Sequence, residues 1–200
     1  MPPPASLTNA LRLVILDRDG VLNEDLPQSV TSPRELVMIA GSAKAIALLN
    51  AAGLHVALCS NQAVVGRGRI RRQELDKIQD KLGDELRSAG AHLDAVFLCT
   101  DKPIEEGGNV STRRKPAPGM LREAMEHFRV RPSQTVMIGD SLSDLQAACA
   151  AGVGRILVRS GKGAHTQAQG IDKSLLPVAV HANLEEAVLS LINQSVKKET

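Results

Sequence analysis

Leu11-Arg12-Leu13-Val14-Ile15-Leu16-Asp17-Arg18-Asp19-Gly20-Val21-Leu22-Asn23 is the stretch on which the fold turns. Five of its first six residues are apolar, and the run ends in D-x-D-G. A short continuous apolar run closed by a turn signal reads as a strand buried on both faces, as in parallel sheets. Asp17 and Asp19 then stand at its carboxyl edge, where open α/β sheets bind their ligands. Two unshielded carboxylates so close repel each other, so a divalent cation or a shared proton is expected beside them.

Further apolar runs of strand length lie at 55–59, 94–98, 135–139 and 154–158, with a weaker one at 176–181. Between them, helical spacing occupies 42–52, 71–89, 118–129, 142–151 and 183–193. Strands alternating with helices predict an α/β fold with a central parallel sheet and right-handed crossovers. The expected organisation is a single domain over 11–193, a disordered tail over 1–10 and a frayed tail over 194–200. The longest irregular stretches, 20–40 and 99–117, are long enough to be functional loops.

Composition narrows the partners. Two hundred residues with 43% hydrophobic content suffice for one ample core. The net charge of +2 gives no general call for nucleic acid, and Arg67-Gly-Arg69-Ile-Arg71-Arg72 is the one local basic cluster. Trp and Tyr are absent and Phe occurs only at 97 and 128, so base stacking is a poor recognition device here. Cys59, Cys99 and Cys149 are odd in number and lack metal spacing, which suits reduced thiols in the cytoplasm. No signal peptide or membrane span is expected, and a monomer is the expected state.

Four strand ends have to be read together. The first carries Asp17 and Asp19, and the second ends in Ser60-Asn61-Gln62. The third is followed by a loop that closes with Arg113-Arg114-Lys115-Pro116-Ala-Pro118-Gly119, and the fourth ends in Gly139-Asp140-Ser141-Leu-Ser143-Asp144. Each piece alone is ordinary turn or cap chemistry. Together they line one sheet edge with acid, hydroxyl, lysine and acid, in that order.

That order resembles the haloacid dehalogenase (HAD) superfamily of phosphatases over about residues 11–162. Asp17-Arg-Asp19-Gly-Val, Ser60-Asn-Gln62, Gly66-Arg67-Gly68, Arg114-Lys115-Pro116-x-Pro118-Gly119-Met120 and Asp144-Leu-Gln-Ala-Ala-x-Ala-Ala-Gly152 are similar to one subgroup. It holds the D-glycero-D-manno-heptose 1,7-bisphosphate phosphatases and the histidinol-phosphatases. The resemblance implies a HAD-like Rossmannoid three-layer sandwich. It is expected to be capless, because the short intervals from Asp17 to Ser60 and from Ser60 to Lys115 leave no room for a large insertion.

The resemblance also implies roles. Asp17 would be the nucleophile that forms an aspartyl-phosphate, and Asp19 the acid/base, a task suited to a carboxyl with a raised pKa. Mg²⁺ would bind Asp17, the backbone carbonyl of Asp19 and Asp140, with Asp144 orienting the shell behind them. Ser60, Asn61, Gln62 and Lys115 would hold the phosphoryl group. Arg67 and Arg114 are candidates for a second anionic group, since a guanidinium clamps phosphate with two hydrogen bonds.

The chain departs from its look-alikes in the 99–117 loop. They carry a zinc loop of the form C-x-H … C-x-C-R-K-P. Here Cys99 remains, but Asp101, Ser111 and Arg113 stand at the other ligand positions, so no structural zinc is expected. The loop should then be held by packing and hydrogen bonds, with Gly107-Gly108 leaving it mobile. The preferred substrate is the heptose 1,7-bisphosphate, with histidinol phosphate next. A polynucleotide 3′-phosphatase and a phosphate-binding scaffold without turnover are the remaining alternatives.

Overall fold

The computed structural model describes residues 11–196. The six strands are β1 (Leu13–Leu16), β2 (His55–Asn61), β3 (Ala95–Cys99), β4 (Thr135–Gly139), β5 (Gly154–Val158) and β6 (Ala179–His181). They form one parallel sheet in the order β3-β2-β1-β4-β5-β6. The helices are α1 (Ser42–Ala51), α2 (Ala63–Gly66), α3 (Arg72–Ser88), α4 (Gly119–His127), α5 (Leu142–Ala151), α6 (Gly163–Ala168) and α7 (Leu184–Val196). Strand order reverses between β1 and β4, which opens a crevice at their carboxyl ends. Leu16 pairs in register with Leu58 and Ile138, so Asp17 is the first residue to emerge into that crevice.

Period-two alternation divides the strands' apolar side chains between two cores. Val14, Leu16, Val56, Leu58, Val136 and Ile138 pack on one face with residues of α1, α3 and α7. Leu13, Ile15, Ala57, Cys59 and Met137 pack on the other with Met120, Leu121 and Ala124 of α4 and Ala147 and Ala148 of α5. This is the three-layer α/β arrangement that the resemblance implies, around the parallel sheet that the alternation of runs predicts. All four residues of β1 are fully buried, each Leu or Ile contributing about 2 kcal/mol on burial. In α3 the stripe Leu75, Ile78, Leu82 and Leu86 faces the core at helical spacing.

Two short helices escape the periodicity. α2 and α6 complete too few turns to show a hydrophobic face. The weak run at 176–181 contributes only its last three residues to the sheet edge as β6. Between Asp17 and Ser60 the chain builds a single 3₁₀ turn (Pro33–Glu35), α1 and most of β2. Between Ser60 and Lys115 it builds α2, α3, β3 and a second 3₁₀ turn (Ile104–Glu106). No cap domain is inserted among the described residues. No helix of the described residues is long and apolar enough to cross a membrane. The tail expected over 1–10 lies outside the described residues. Of that expected over 194–200, α7 reaches Val196 and the rest lies outside them.

Candidate active site

The crevice gathers the chemistry of four strand ends around one buried lysine. Lys115 Nζ lies 2.9 Å from Asp17 Oδ1 and 2.6 Å from Asp144 Oδ1, and donates to the Cys59 carbonyl at 2.8 Å. Burial alone would push its pKa down, but the charges of Asp144 and Asp17 more than offset this and hold the ammonium protonated. Asn61, at the end of β2, fixes the lysine's backbone. Its Nδ2 donates to the Lys115 carbonyl at 2.9 Å and its Oδ1 accepts from the Lys115 N–H at 3.1 Å. The Asn61 side chain is thus engaged with Lys115.

Asp17 receives a second hydrogen bond on the same oxygen, from the Arg18 N–H at 2.7 Å. Burial raises its carboxyl to about 6 against the pull of Lys115, with the charges of Asp144 and Asp19 adding to the rise. Asp140, one residue past β4, is raised to about 8, first by burial and then by the charges of Asp17 and Asp144. Asp144 sits at the third position of α5 and caps that helix reciprocally with Ser141. Its Oδ2 accepts from the Ser141 N–H at 3.0 Å and from Ser141 Oγ at 2.6 Å, while Oδ1 faces Lys115. One carboxylate therefore ends the helix and neutralises the lysine.

Asp17, Asp140 and Asp144 each offer a ligand atom within 4.8 Å of the others. Hard carboxylate oxygens at this spacing, with two of the three carboxyls pushed up first by burial and further by their acidic neighbours, fit a divalent cation such as Mg²⁺.

Asp19 corrects one expectation from sequence. Burial pushes its carboxyl up, but Arg18, Asn23 and Gln62 outweigh that and hold it below the ordinary carboxylate range. Arg18, itself fully buried, folds back onto Asp19 with Nε at 3.2 Å and Nη2 at 2.9 Å from Oδ1. Asn23 Nδ2 donates to Oδ1 at 2.9 Å, and Gln62 Nε2 donates to Oδ2 at 2.8 Å. The same Gln62 amide donates to Ser60 Oγ at 3.0 Å, which brings the second strand end against the first. The raised pKa expected of an acid is absent because Arg18, the residue between the two aspartates, is the counter-ion of Asp19, with Asn23 and Gln62 adding hydrogen bonds.

The fifth strand end joins the site, and sequence reading missed it. Ser160 Oγ donates to the Gly20 carbonyl at 2.6 Å, and the Lys162 N–H donates to Asp140 Oδ2 at 2.7 Å. Thr166 Oγ1 donates to the Asp140 carbonyl at 2.9 Å, and Lys162 Nζ reaches Asp25 Oδ2 at 2.8 Å. Gly20 and Gly161, at φ of +82° and +56°, press together beside Asp140. A Cβ on Gly161 would stand 2.3 Å from Asp140 Oδ2 and 2.4 Å from Gly20 Cα. The signal was the run Ser160-Gly161-Lys162-Gly163 directly after an apolar strand, a close-approach turn at a ligand-binding edge.

The two ends of the 99–117 loop are tied together by polar contacts. Cys99 Sγ donates to Asp101 Oδ2 at 3.4 Å and lies 3.8 Å from Ser111 Oγ, which accepts from the N–H groups of Arg113 and Arg114 at 3.3 and 3.1 Å. The Arg113 guanidinium forks onto Glu123 at 2.8 and 2.9 Å and reaches the Leu98 carbonyl at 3.1 Å. Burial pushes the Cys99 thiol up, away from the thiolate form that binds metals. Arg114 Nη1 donates to the Asp101 carbonyl at 3.0 Å. Arg67 is engaged with Glu106, its Nε and Nη2 each 2.5 Å from a carboxylate oxygen.

Comparison with known proteins agrees with this geometry. A family model described as HAD-hydrolase-like matches residues 112–187. The D-glycero-beta-D-manno-heptose-1,7-bisphosphate 7-phosphatase of Bordetella bronchiseptica is 41% identical over 160 residues, spanning 80% of this chain and 87% of that protein. The protein of the same name from Neisseria meningitidis serogroup A is 38% identical over 159 residues, covering 80% and 83%. The crystal structure of the B. bronchiseptica D,D-heptose 1,7-bisphosphate phosphatase complexed with magnesium and phosphate superposes with a TM-score of 0.85 at 37% identity, covering 92% of this chain and 99% of that one. The Burkholderia thailandensis phosphatase of that name gives 0.69 at 35% identity, covering 90% and 98%. The chain belongs to the D,D-heptose 1,7-bisphosphate phosphatase family of HAD-like hydrolases.

Proposed function

We propose that the protein is a Mg²⁺-dependent phosphomonoesterase that removes the 7-phosphate of D-glycero-D-manno-heptose 1,7-bisphosphate. The observation that carries the reading is the buried Lys115, held between Asp17 and Asp144 with Asp140 beside them. The names and similarity of the relatives support the heptose substrate ahead of histidinol phosphate.

Asp17, the Asp19 backbone carbonyl and Asp140 would hold Mg²⁺, and Asp144 would orient that group from behind. The cation supplies charge neutralisation for the phosphoryl oxygens. Lys115 and Arg18 N–H both contact Asp17 Oδ1, which leaves Oδ2 to attack phosphorus. The Asp17–phosphorus bond forms as the bond from phosphorus to the sugar oxygen breaks, and the leaving oxygen takes a proton from Asp19. Water then attacks phosphorus, returns a proton to Asp19 and releases Asp17 as carboxylate with free phosphate. Asp19 rests as a carboxylate against Arg18; the negative charge of an arriving phosphate raises its pKa and lets it take up that proton.

Ser60 and the backbone near Asn61 would donate to the phosphoryl oxygens, with Gln62 setting the position of Ser60 and Asp19. The Cys99–Asp101–Ser111–Arg113 cluster would do without zinc, since Arg113 offers no ligand and the thiol stays protonated. Residues 11–193 act as one catalytic domain, in the cytoplasm and as a monomer, with a small phosphorylated metabolite and not nucleic acid as partner. The test is a side-by-side measurement of phosphate release from the heptose 1,7-bisphosphate, histidinol phosphate and a 3′-phosphorylated oligonucleotide. Preference for the first is expected; preference for either of the others would overturn the substrate assignment.

A further inference from the structure

One arginine grips a carboxylate on the loop that leads to Lys115, and the charges of two more arginines reach it. Arg67, at the end of α2, grips Glu106 through Nε and Nη2, the fork with which a guanidinium also clasps a phosphate. The hydrogen bonds of Arg67 hold the Glu106 carboxyl below its ordinary range, and the charges of Arg114 and Arg69 add to the effect. Arg114 directly precedes the catalytic Lys115, and Arg69 Nη1 donates to the backbone and side-chain oxygens of Gln28, on the loop that follows Asp19. Arg67 thus ties the segment after β2 to the 99–117 loop, Arg69 ties it to the loop after Asp19, and Arg114 donates to the Asp101 carbonyl within the 99–117 loop. Glu106 comes from a weakly anchored piece of chain: the 3₁₀ turn Ile104–Glu106 buries none of its residues, and Ile104 is 59% exposed. A segment with so few buried contacts moves at little cost.

We propose that Glu106 is an internal stand-in for the second phosphate of the substrate. It occupies the arginine cluster in the free enzyme and yields it when that phosphate arrives. The inference rests on the bisphosphate reading above. A phosphate dianion carries more charge than a carboxylate and more acceptor oxygens, so it can win the exchange. A monophosphate has nothing to offer the cluster and leaves Glu106 in place. Glu106 therefore lowers affinity for the bisphosphate while it guards the arginines against weaker anions, making it a specificity-determining residue by competition.

The test is calorimetric, on Mg²⁺-loaded protein carrying Asp17→Asn so that no turnover occurs. Dissociation constants are measured for the sugar 1,7-bisphosphate and for the sugar 7-phosphate, with and without Glu106→Gln. The glutamine keeps the shape and a hydrogen-bonding oxygen but removes the charge. The account expects Asp17→Asn to bind the bisphosphate more tightly than the monophosphate, and Glu106→Gln to widen that ratio by roughly three- to fivefold. A ratio that stays the same or narrows overturns the role of Glu106 alone; a purely structural contact would narrow it. Equal affinity of Asp17→Asn for both sugars would overturn the bisphosphate reading itself, and the role of Glu106 with it.

Discussion

Lys115 and Asp144 face each other at 2.6 Å with both side chains shut off from solvent. The pair links the candidate site to the helix behind it, because the other oxygen of Asp144 caps α5 through Ser141. Removing one member of a buried pair leaves the other charge without compensation. Asp144→Asn is expected to cost about 3 kcal/mol in urea unfolding, and Lys115→Met a comparable amount. The double variant should cost clearly less than the sum of the two, since neither charge is then left buried alone. Additive losses would show that the two residues act independently.

The raised carboxyls of Asp140 and Asp17 make metal binding a contest with protons. In the metal-free protein their values, about 8 and about 6, lie above the ordinary 3.8. The stabilisation from holding those protons is complete below about pH 4 and is lost as pH rises through 6 and 8. Mg²⁺ replaces the protons, so the gain in Tm on adding Mg²⁺ should be small at pH 5 and grow steadily toward pH 8.5. Comparing loaded and metal-free protein at each pH cancels the titration of distant groups. A gain that is flat with pH would contradict the assignment of these two carboxylates as ligands.

Gly161 presses on Gly20 and Asp140 with no room for a methyl group. Its φ of +56° adds strain for any other residue. Gly161→Ala is expected to destabilise the protein by about 1–3 kcal/mol and to weaken Mg²⁺ binding at least tenfold, because the Asp140 carboxylate must move. Thermal unfolding and Mg²⁺ titration by calorimetry measure the two effects. Lowered stability with unchanged Mg²⁺ affinity would remove the β5 turn from the site.

The acids and the hydroxyl of the candidate site were legible in the chain because they sit at the ends of strands. Asp17 and Asp19 follow β1, Ser60 and Asn61 end β2, and Asp140 follows β4, so the order of apolar runs already placed them on one edge. Side-chain partners across loops were not legible. Arg67 reads as a free clamp in sequence, yet its partner Glu106 comes from an irregular loop with no periodicity to locate it. The low pKa of Asp19 depends on a rotamer of Arg18 that turns it back on its neighbour, which no spacing rule contains. The Asn61 side chain meets the Lys115 backbone because the loop returns beside β2, a pairing that the strand-end pattern does not contain. Local pattern fixes strand ends; only the packed loops decide which polar groups are already taken.

Whether Asp17 attacks phosphorus is read from the turnover of Asp17→Asn. Phosphate release from D-glycero-D-manno-heptose 1,7-bisphosphate is measured with saturating Mg²⁺ for the native protein and the variant, alongside a thermal unfolding trace of each. The account predicts steady release of the 7-phosphate by the native protein and a loss of about 10³-fold or more in the variant, whose unfolding stays cooperative. Turnover by the variant within tenfold of native would contradict an aspartyl-phosphate at this position.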